Sequence, residues 1–102
     1  MPNFIKAADV EDVPEGKRIT ADIDGEEVAI FNINGEFFAI NNRCPHRGGP
    51  LGDGELEGEV VSCPLHGWRF NVKTGQNAMM PASRVKCYHV KVEGNEIFVS
   101  KG

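Results

Sequence analysis

Two short stretches gather the side chains of this sequence that are best suited to bind a metal: Cys44-Pro45-His46 and Cys63-Pro64-Leu65-His66, separated by the sixteen residues Arg47 to Ser62. Each presents one thiolate and one imidazole, and two soft plus two borderline ligands suit zinc or an iron–sulfur centre. Ligands two or three residues apart reach one region only where the backbone between them turns sharply. The prolines and the glycines of Arg47-Gly48-Gly49 and His66-Gly67 supply such turns. Glycine also lets the backbone, and its N–H groups, approach a bulky inorganic group closely. A lone cysteine is ordinarily a small buried hydrophobe and a lone histidine a surface or core residue. Two mixed pairs in one glycine-rich stretch point instead to a metal site. The common zinc finger separates its cysteine pair from its histidine pair and follows with a helix. Here each half is mixed and no helix is readable, which disfavours zinc.

The elements that must position these pairs have little material to work with. At 102 residues the chain bounds at one compact domain, 1–102, with no length for a second catalytic domain. A domain of this size buries a modest share of its surface, so a bound metal or cross-link matters to its stability. Eleven Lys+Arg against fifteen Asp+Glu give a net charge of −4, which argues against nucleic acid as a partner. No apolar run reaches signal-peptide or membrane-span length, so the expectation is a soluble, cytoplasmic protein with no membrane partner. Three cysteines are an odd number for a disulfide framework, and thiolates as metal ligands are the better expectation.

The flanks, 1–41 and 84–102, read as strands broken by turn dipeptides and form the expected base; residues 42–83 form the loops that bind the metal. Asp24-Gly25 and Asn34-Gly35 are two-residue hairpin signals, because a type I′ turn needs positive φ at both central positions. Glu93-Gly94-Asn95 gives a third turn, between Val85–Val92 and Ile97–Val99. Val28, Ile30 and Ile33, then Phe37, Phe38 and Ile40, alternate imperfectly and leave their faces unassigned. Asp9-Val10-Glu11-Asp12 hints at one helical turn, which Pro14 would end or follow. The centre holds seven of the twelve glycines and four of the six prolines, and looks like loops built around something other than a hydrophobic core. The fold class expected is all-β: a small antiparallel sandwich or barrel base with a loop-built metal-binding subdomain.

Cys-x-His, sixteen residues, then Cys-x-x-His resembles the Rieske ligand motif. The likeness extends through Arg47-Gly48-Gly49-Pro50-Leu51, Gly54-Glu55-Leu56 and His66-Gly67-Trp68-Arg69-Phe70 to Thr74-Gly75, and the family's plan of strands around two cluster loops covers essentially the whole chain. The resemblance implies one 2Fe-2S cluster, with Cys44 and Cys63 holding one iron and His46 and His66 the other. On that ligation the oxidised site is formally neutral and the reduced site singly negative, so an electron adds more easily than to a four-thiolate site. Loss of the remaining imidazole protons, easier from the oxidised state, makes the potential fall with pH once that ionisation is reached. The family's membrane-complex branch carries one further cysteine in each loop, paired as a disulfide; Gly49 and Leu65 stand at those positions here. Trp68 and Phe70 stand where that branch has hydroxyl donors to cluster sulfur, which implies a low-potential centre.

Relatives of this kind are soluble ferredoxins of bacterial oxygenases and the small subunit of assimilatory nitrite reductase. The function implied is a one-electron carrier from a ferredoxin reductase to a terminal oxygenase; the alternatives are a Rieske subunit docked on a nitrite reductase large subunit and, far behind, a structural zinc module. The chain is not expected to be an enzyme. With His46 and His66 committed, only His89 remains for a mononuclear iron triad, and no G-x-G-x-x-G nucleotide motif is present. Met79-Met80-Pro81 stands where the family has a third loop against the cluster, the alternative being an ordinary apolar turn, and Trp68 and Phe70 are expected to pack as core. Cys87 and His89 read as strand residues outside the site. Arg43, Arg47 and Arg69 are expected either to stabilise the reduced cluster or to meet an acidic partner. The acidic stretch Asp53, Glu55, Glu57 and Glu59 reads as a solvated face.

Overall fold

Asp24-Gly25 and Asn34-Gly35 turn the chain back on itself, with φ of 53° and 88° in the first pair and 55° and 87° in the second. These are the positive angles a type I′ hairpin demands. They join β2 (Arg18–Ile23) to β3 (Glu26–Ile33) and β3 to β4 (Glu36–Asn41). The computed structural model describes residues 4–44, 49–65, 67–79 and 83–101. Within them, β1 (Ile5–Asp9), β9 (Glu96–Ser100) and β8 (Cys87–Glu93) extend the sheet in the order β1-β9-β8-β4-β3-β2, all antiparallel. Its two edge strands, β1 and β2, approach one another and nearly close the sheet into a barrel. No helix among the described residues is long and apolar enough to cross a membrane.

Strand β8 begins at Cys87 rather than at Val85. Val85 is buried instead against the central segment, its N–H bonded to the Gly75 carbonyl at 2.8 Å. The β8–β9 turn needs only Gly94 at positive φ (61°), the requirement of a type II′ hairpin. The helical turn expected around Asp9–Asp12 is a 3-10 turn, Val10–Asp12, closed by the Val13 N–H on the Val10 carbonyl at 3.1 Å.

Expectation and structure part company in the centre. Residues Leu56–Glu57 (β5), Val60–Ser62 (β6) and Arg69–Asn71 (β7) form a second, three-stranded antiparallel sheet. The central segment is also not devoid of a hydrophobic core. Leu51, Val61, Phe70 and Val72 are fully or almost fully buried and pack with Ala29, Phe31 and Ile40 of the barrel. Short strands, a 3-10 turn at Leu51–Asp53 and dense glycine hide this core from pattern reading, because no strand here is long enough to show a period.

Imperfect alternation in β3 has the same origin. Val28 and Ile30 point into the barrel with Ile23, Ala39, Tyr88 and Val99, while Ala29 and Phe31 point to the core shared with the second sheet. A strand buried on both faces carries apolar side chains on both, and its period of two disappears. Val28, Ile30 and Phe31, all fully buried, are each worth about 1.5–3 kcal/mol.

Candidate metal centre

The two cysteines sit at the mouths of two loops that close in the same way. Cys44 N–H donates to the Gly49 carbonyl at 2.9 Å, and Cys63 N–H donates to the Trp68 carbonyl at 2.6 Å. Each bond reaches the residue five positions on. The second loop also bends at Gly67, whose N–H meets the Cys63 carbonyl at 2.9 Å and whose φ is +76°. This tight turn is available because glycine has no Cβ to clash. In sequence His46 falls inside the first closed loop and His66 inside the second, and both lie outside the described residues, as do Arg47, Met80 and Pro81.

Both cysteines are buried, at 1% and 2% exposure, in the core that joins barrel to second sheet, and neither forms a disulfide. Gly49 connects the loops: its carbonyl accepts from Cys44, and a Cβ built on it would stand 2.7 Å from Cys63 Sγ. Leu65 lies against the same spot, its Cγ 3.0 Å from that Cβ position. The positions expected to match a disulfide are thus adjacent, and a leucine side chain fills the gap between them. Two buried thiols on facing loops around a bare glycine fit a thiolate-held inorganic group, since a side chain at Gly49 would fill the space beside Cys63.

Phe70 is fully buried and half-buried Trp68 packs against the same core, ring centroids 6.4 Å apart, so both pack as core. Leu65 and Met79 face outward, at 63% and 72% exposure. Met79 belongs to a segment laid antiparallel to β7, with Ala78 N–H on the Arg69 carbonyl at 2.8 Å and Met79 N–H on Asn77 Oδ1 at 2.7 Å. Arg43, Arg69, Asp53, Glu55, Glu57 and Glu59 are exposed. Glu59 accepts from Asn71 Nδ2 at 2.9 Å and pairs with Lys73 at 3.2 Å, contacts that lower its carboxyl pKa. Cys87 and His89 are exposed on β8, and partial burial pushes the Cys87 thiol up.

Two asparagines escaped pattern reading, since nothing in the sequence distinguishes them from loop residues. Asn42, 3% exposed, holds the far end of the first loop: Gly52 N–H donates to its Oδ1 at 2.6 Å, Leu51 N–H to its carbonyl at 2.7 Å, and its Nδ2 donates to Glu27. Asn41 Oδ1 accepts from Arg43 N–H at 2.9 Å, and its Nδ2 donates to the Tyr88 hydroxyl at 3.0 Å. Tyr88 in turn donates to Glu26 Oε1 at 2.5 Å, and Lys101 meets Glu26 Oε2 at 3.0 Å. The Tyr88 hydrogen bond, then that of Lys101, pulls the Glu26 carboxyl down to about 2. Burial, then the bond to Glu26, pushes Tyr88 up to about 12.

A family model described as the Rieske [2Fe-2S] domain matches residues 3–98. The 3-phenylpropionate/cinnamic acid dioxygenase ferredoxin subunit of Escherichia coli (strain K12) is 43% identical over 95% of this chain and 92% of its own. In a solved complex of reduced oxygenase and oxidised ferredoxin of carbazole 1,9a-dioxygenase, a chain 29% identical superposes with a TM-score of 0.88, covering 96% of this chain and 93% of that one. A structure described as a nitrite reductase NADPH small subunit is 26% identical and superposes with a TM-score of 0.83, over 95% of this chain and 97% of its own.

Proposed function

Because the chain belongs to the Rieske [2Fe-2S] domain family, we propose that it is a one-electron carrier, taking electrons from a ferredoxin reductase and passing them to a terminal oxygenase in the cytoplasm. In this reading Cys44, His46, Cys63 and His66 hold its Rieske 2Fe-2S cluster, residues 42–83 form the cluster-binding part, and 1–41 with 84–102 form the base. The observation that carries the site is the convergence of two buried, disulfide-free cysteines on Gly49.

The cluster, when bound, supplies a reversible one-electron couple. The chain's own residues do the rest. Backbone bonds from Cys44 to Gly49 and from Cys63 to Trp68 hold both loops closed. Phe70 offers no hydroxyl and fills the core with hydrocarbon, which supports a low potential, because fewer donors to cluster sulfur leave the reduced charge less stabilised. Leu65 and Met79 expose apolar side chains, and Arg43 and Arg69 are exposed too, a combination suited to close docking without a buried charge. Such a chain works as a carrier rather than a catalyst.

The 43% identity to a dioxygenase ferredoxin subunit favours the oxygenase over the nitrite reductase reading, and among the superposed structures the chain from the carbazole dioxygenase complex is 29% identical against 26% for the nitrite reductase small subunit. Anaerobic purification followed by iron, sulfide and zinc analysis tests the cofactor. Equal iron and sulfide, with a rhombic electron paramagnetic resonance signal of low average g after dithionite, is expected. Stoichiometric zinc without sulfide would overturn it. Co-purification of a large subunit in a stable complex would move the reading to the nitrite reductase type.

A further inference from the structure

We infer that Glu26, Tyr88 and Asn41 form a one-way hydrogen-bond relay that positions the backbone entering Cys44. The inference rests on the carrier reading above and deepens it: these are positioning residues, acting on the site through Arg43 and not by contact with it.

Tyr88 is 7% exposed and packs among the apolar side chains of the barrel interior, where phenylalanine would bury as well. Its hydroxyl is tied at both ends. It donates to Glu26 Oε1 at 2.5 Å, at the start of β3, and accepts from Asn41 Nδ2 at 3.0 Å, at the end of β4. Asn41 passes the connection on, because its Oδ1 takes the Arg43 N–H at 2.9 Å, one residue before Cys44. Asn41 is itself pinned to the residue before β8 by its backbone N–H on the Lys86 carbonyl at 2.9 Å.

The sense of every link is forced. Glu26 is a carboxylate over all ordinary pH and only accepts; Lys101 at 3.0 Å and Lys86 at 3.4 Å hold it from the solvent side. The one hydroxyl proton of Tyr88 is therefore spent on Glu26, leaving its oxygen able only to accept from Asn41. That requirement turns the amide nitrogen of Asn41 toward Tyr88 and its oxygen toward Arg43. With the amide flipped, two oxygens would face each other at Tyr88 and two N–H groups at Arg43. The orientation of a side chain beside the first cluster loop is thus decided on another strand. Asn42 fixes the next peptide from the opposite side, through Glu27 and Gly52. A packing role alone would need the tyrosine ring and none of this directionality.

The test compares reduced holoproteins by electron paramagnetic resonance g values and visible circular dichroism, with iron and sulfide content and thermal melting measured alongside. Tyr88→Phe keeps the ring and removes the relay's centre; Asn41→Leu removes its last link and serves if Tyr88→Phe does not fold. Both are expected to shift g values and dichroism while iron and sulfide are retained, and the double variant is expected to show the shift of one, because members of a single chain do not add. Lys101→Met takes away a positive charge beside Glu26 but leaves its acceptor oxygen for Tyr88, and is expected to leave the spectra as in the parent. Parental spectra in Tyr88→Phe and Asn41→Leu, with only a lowered melting temperature, overturn the relay. A spectral shift in Lys101→Met as large as in Tyr88→Phe overturns it too, by assigning the effect to charge. A parent protein lacking iron and sulfide would overturn the carrier reading, and the relay with it.

Discussion

Gly49→Ala isolates the contact on which both loops depend. The added Cβ would stand 2.7 Å from Cys63 Sγ, 3.0 Å from Leu65 Cγ and 3.1 Å from Leu65 Cδ1, where ordinary contact begins at 3.4 Å. Leu65 is 63% exposed and swings aside at little cost. Cys63 does not. It is 2% exposed, and its N–H and carbonyl are both engaged, at 2.6 Å with Trp68 and 2.9 Å with Gly67. Relieving the Sγ contact takes ~0.7 Å of movement, against a tolerance of ~0.5 Å for a working site. The φ of Gly49 is not in the left-handed region, so no backbone strain accompanies the change. Overpacking of this kind costs about 1–3 kcal/mol, and a domain of this size loses about 4–8 °C of Tm per kcal/mol. We expect Gly49→Ala to lower both Tm and the iron and sulfide bound per chain. Adding Leu65→Ala removes two of the three contacts and should return part of the stability without returning the cluster content. Gly58→Ala is the control: φ is +60° with nothing within 4 Å, so it strains the backbone and leaves iron and sulfide at the parental level. Parental Tm and full cluster content in Gly49→Ala would refute the steric reasoning. Full cluster content in the double variant alone would move the obstruction from Cys63 to Leu65.

Asn42→Ala removes the acceptor of the Gly52 N–H at a site 3% exposed, and should cost about 1–3 kcal/mol, read as a lower urea midpoint at unchanged slope. Glu26, whose carboxyl is drawn down to about 2, stabilises fully above its ordinary 4.5 and loses that contribution as pH falls toward 2; acid titration of Glu26→Gln should lack this segment of the decline. Tyr88 runs in the opposite sense, its contribution complete below 10 and lost as pH rises through about 12, so Tyr88→Phe should flatten the alkaline limb. His66→Cys exchanges a neutral ligand for an anion and should lower the reduction potential, measured by redox titration; an unchanged potential would contradict the charge count. Phe70→Ala empties a fully buried site in the core beneath both cysteines and should cost about 3–5 kcal/mol by chemical denaturation.

The hairpins were legible because their determinants are local. Asp24-Gly25 and Asn34-Gly35 adopt positive φ that few other dipeptides tolerate, and the flanking strands follow from them. The Cys/His pairs proposed as ligands stand out for a similar reason, since residue type and short spacing are properties of single loops. The second sheet was not legible: strands of two and three residues carry no period, and their burial depends on Phe31 and Ile40, which lie far away in sequence. Asn41 and Asn42 were invisible because an asparagine's role is set by which donors and acceptors surround it.

Sequence alone therefore determined the chemistry available, two Cys/His pairs on glycine-rich loops in an acidic, strand-rich chain, and with it the family. Tertiary structure decided how the two cysteines are held. Only the packing of the second sheet on β3 and β4 buries Cys44 and Cys63 in one core and brings Leu65 onto Gly49. Only the pairing of β8 with β4 places Tyr88 between Glu26 and Asn41. Ligand identity is carried by individual residues, whereas burial and hydrogen-bond direction arise between residues up to 62 positions apart, where a linear pattern holds no record of them.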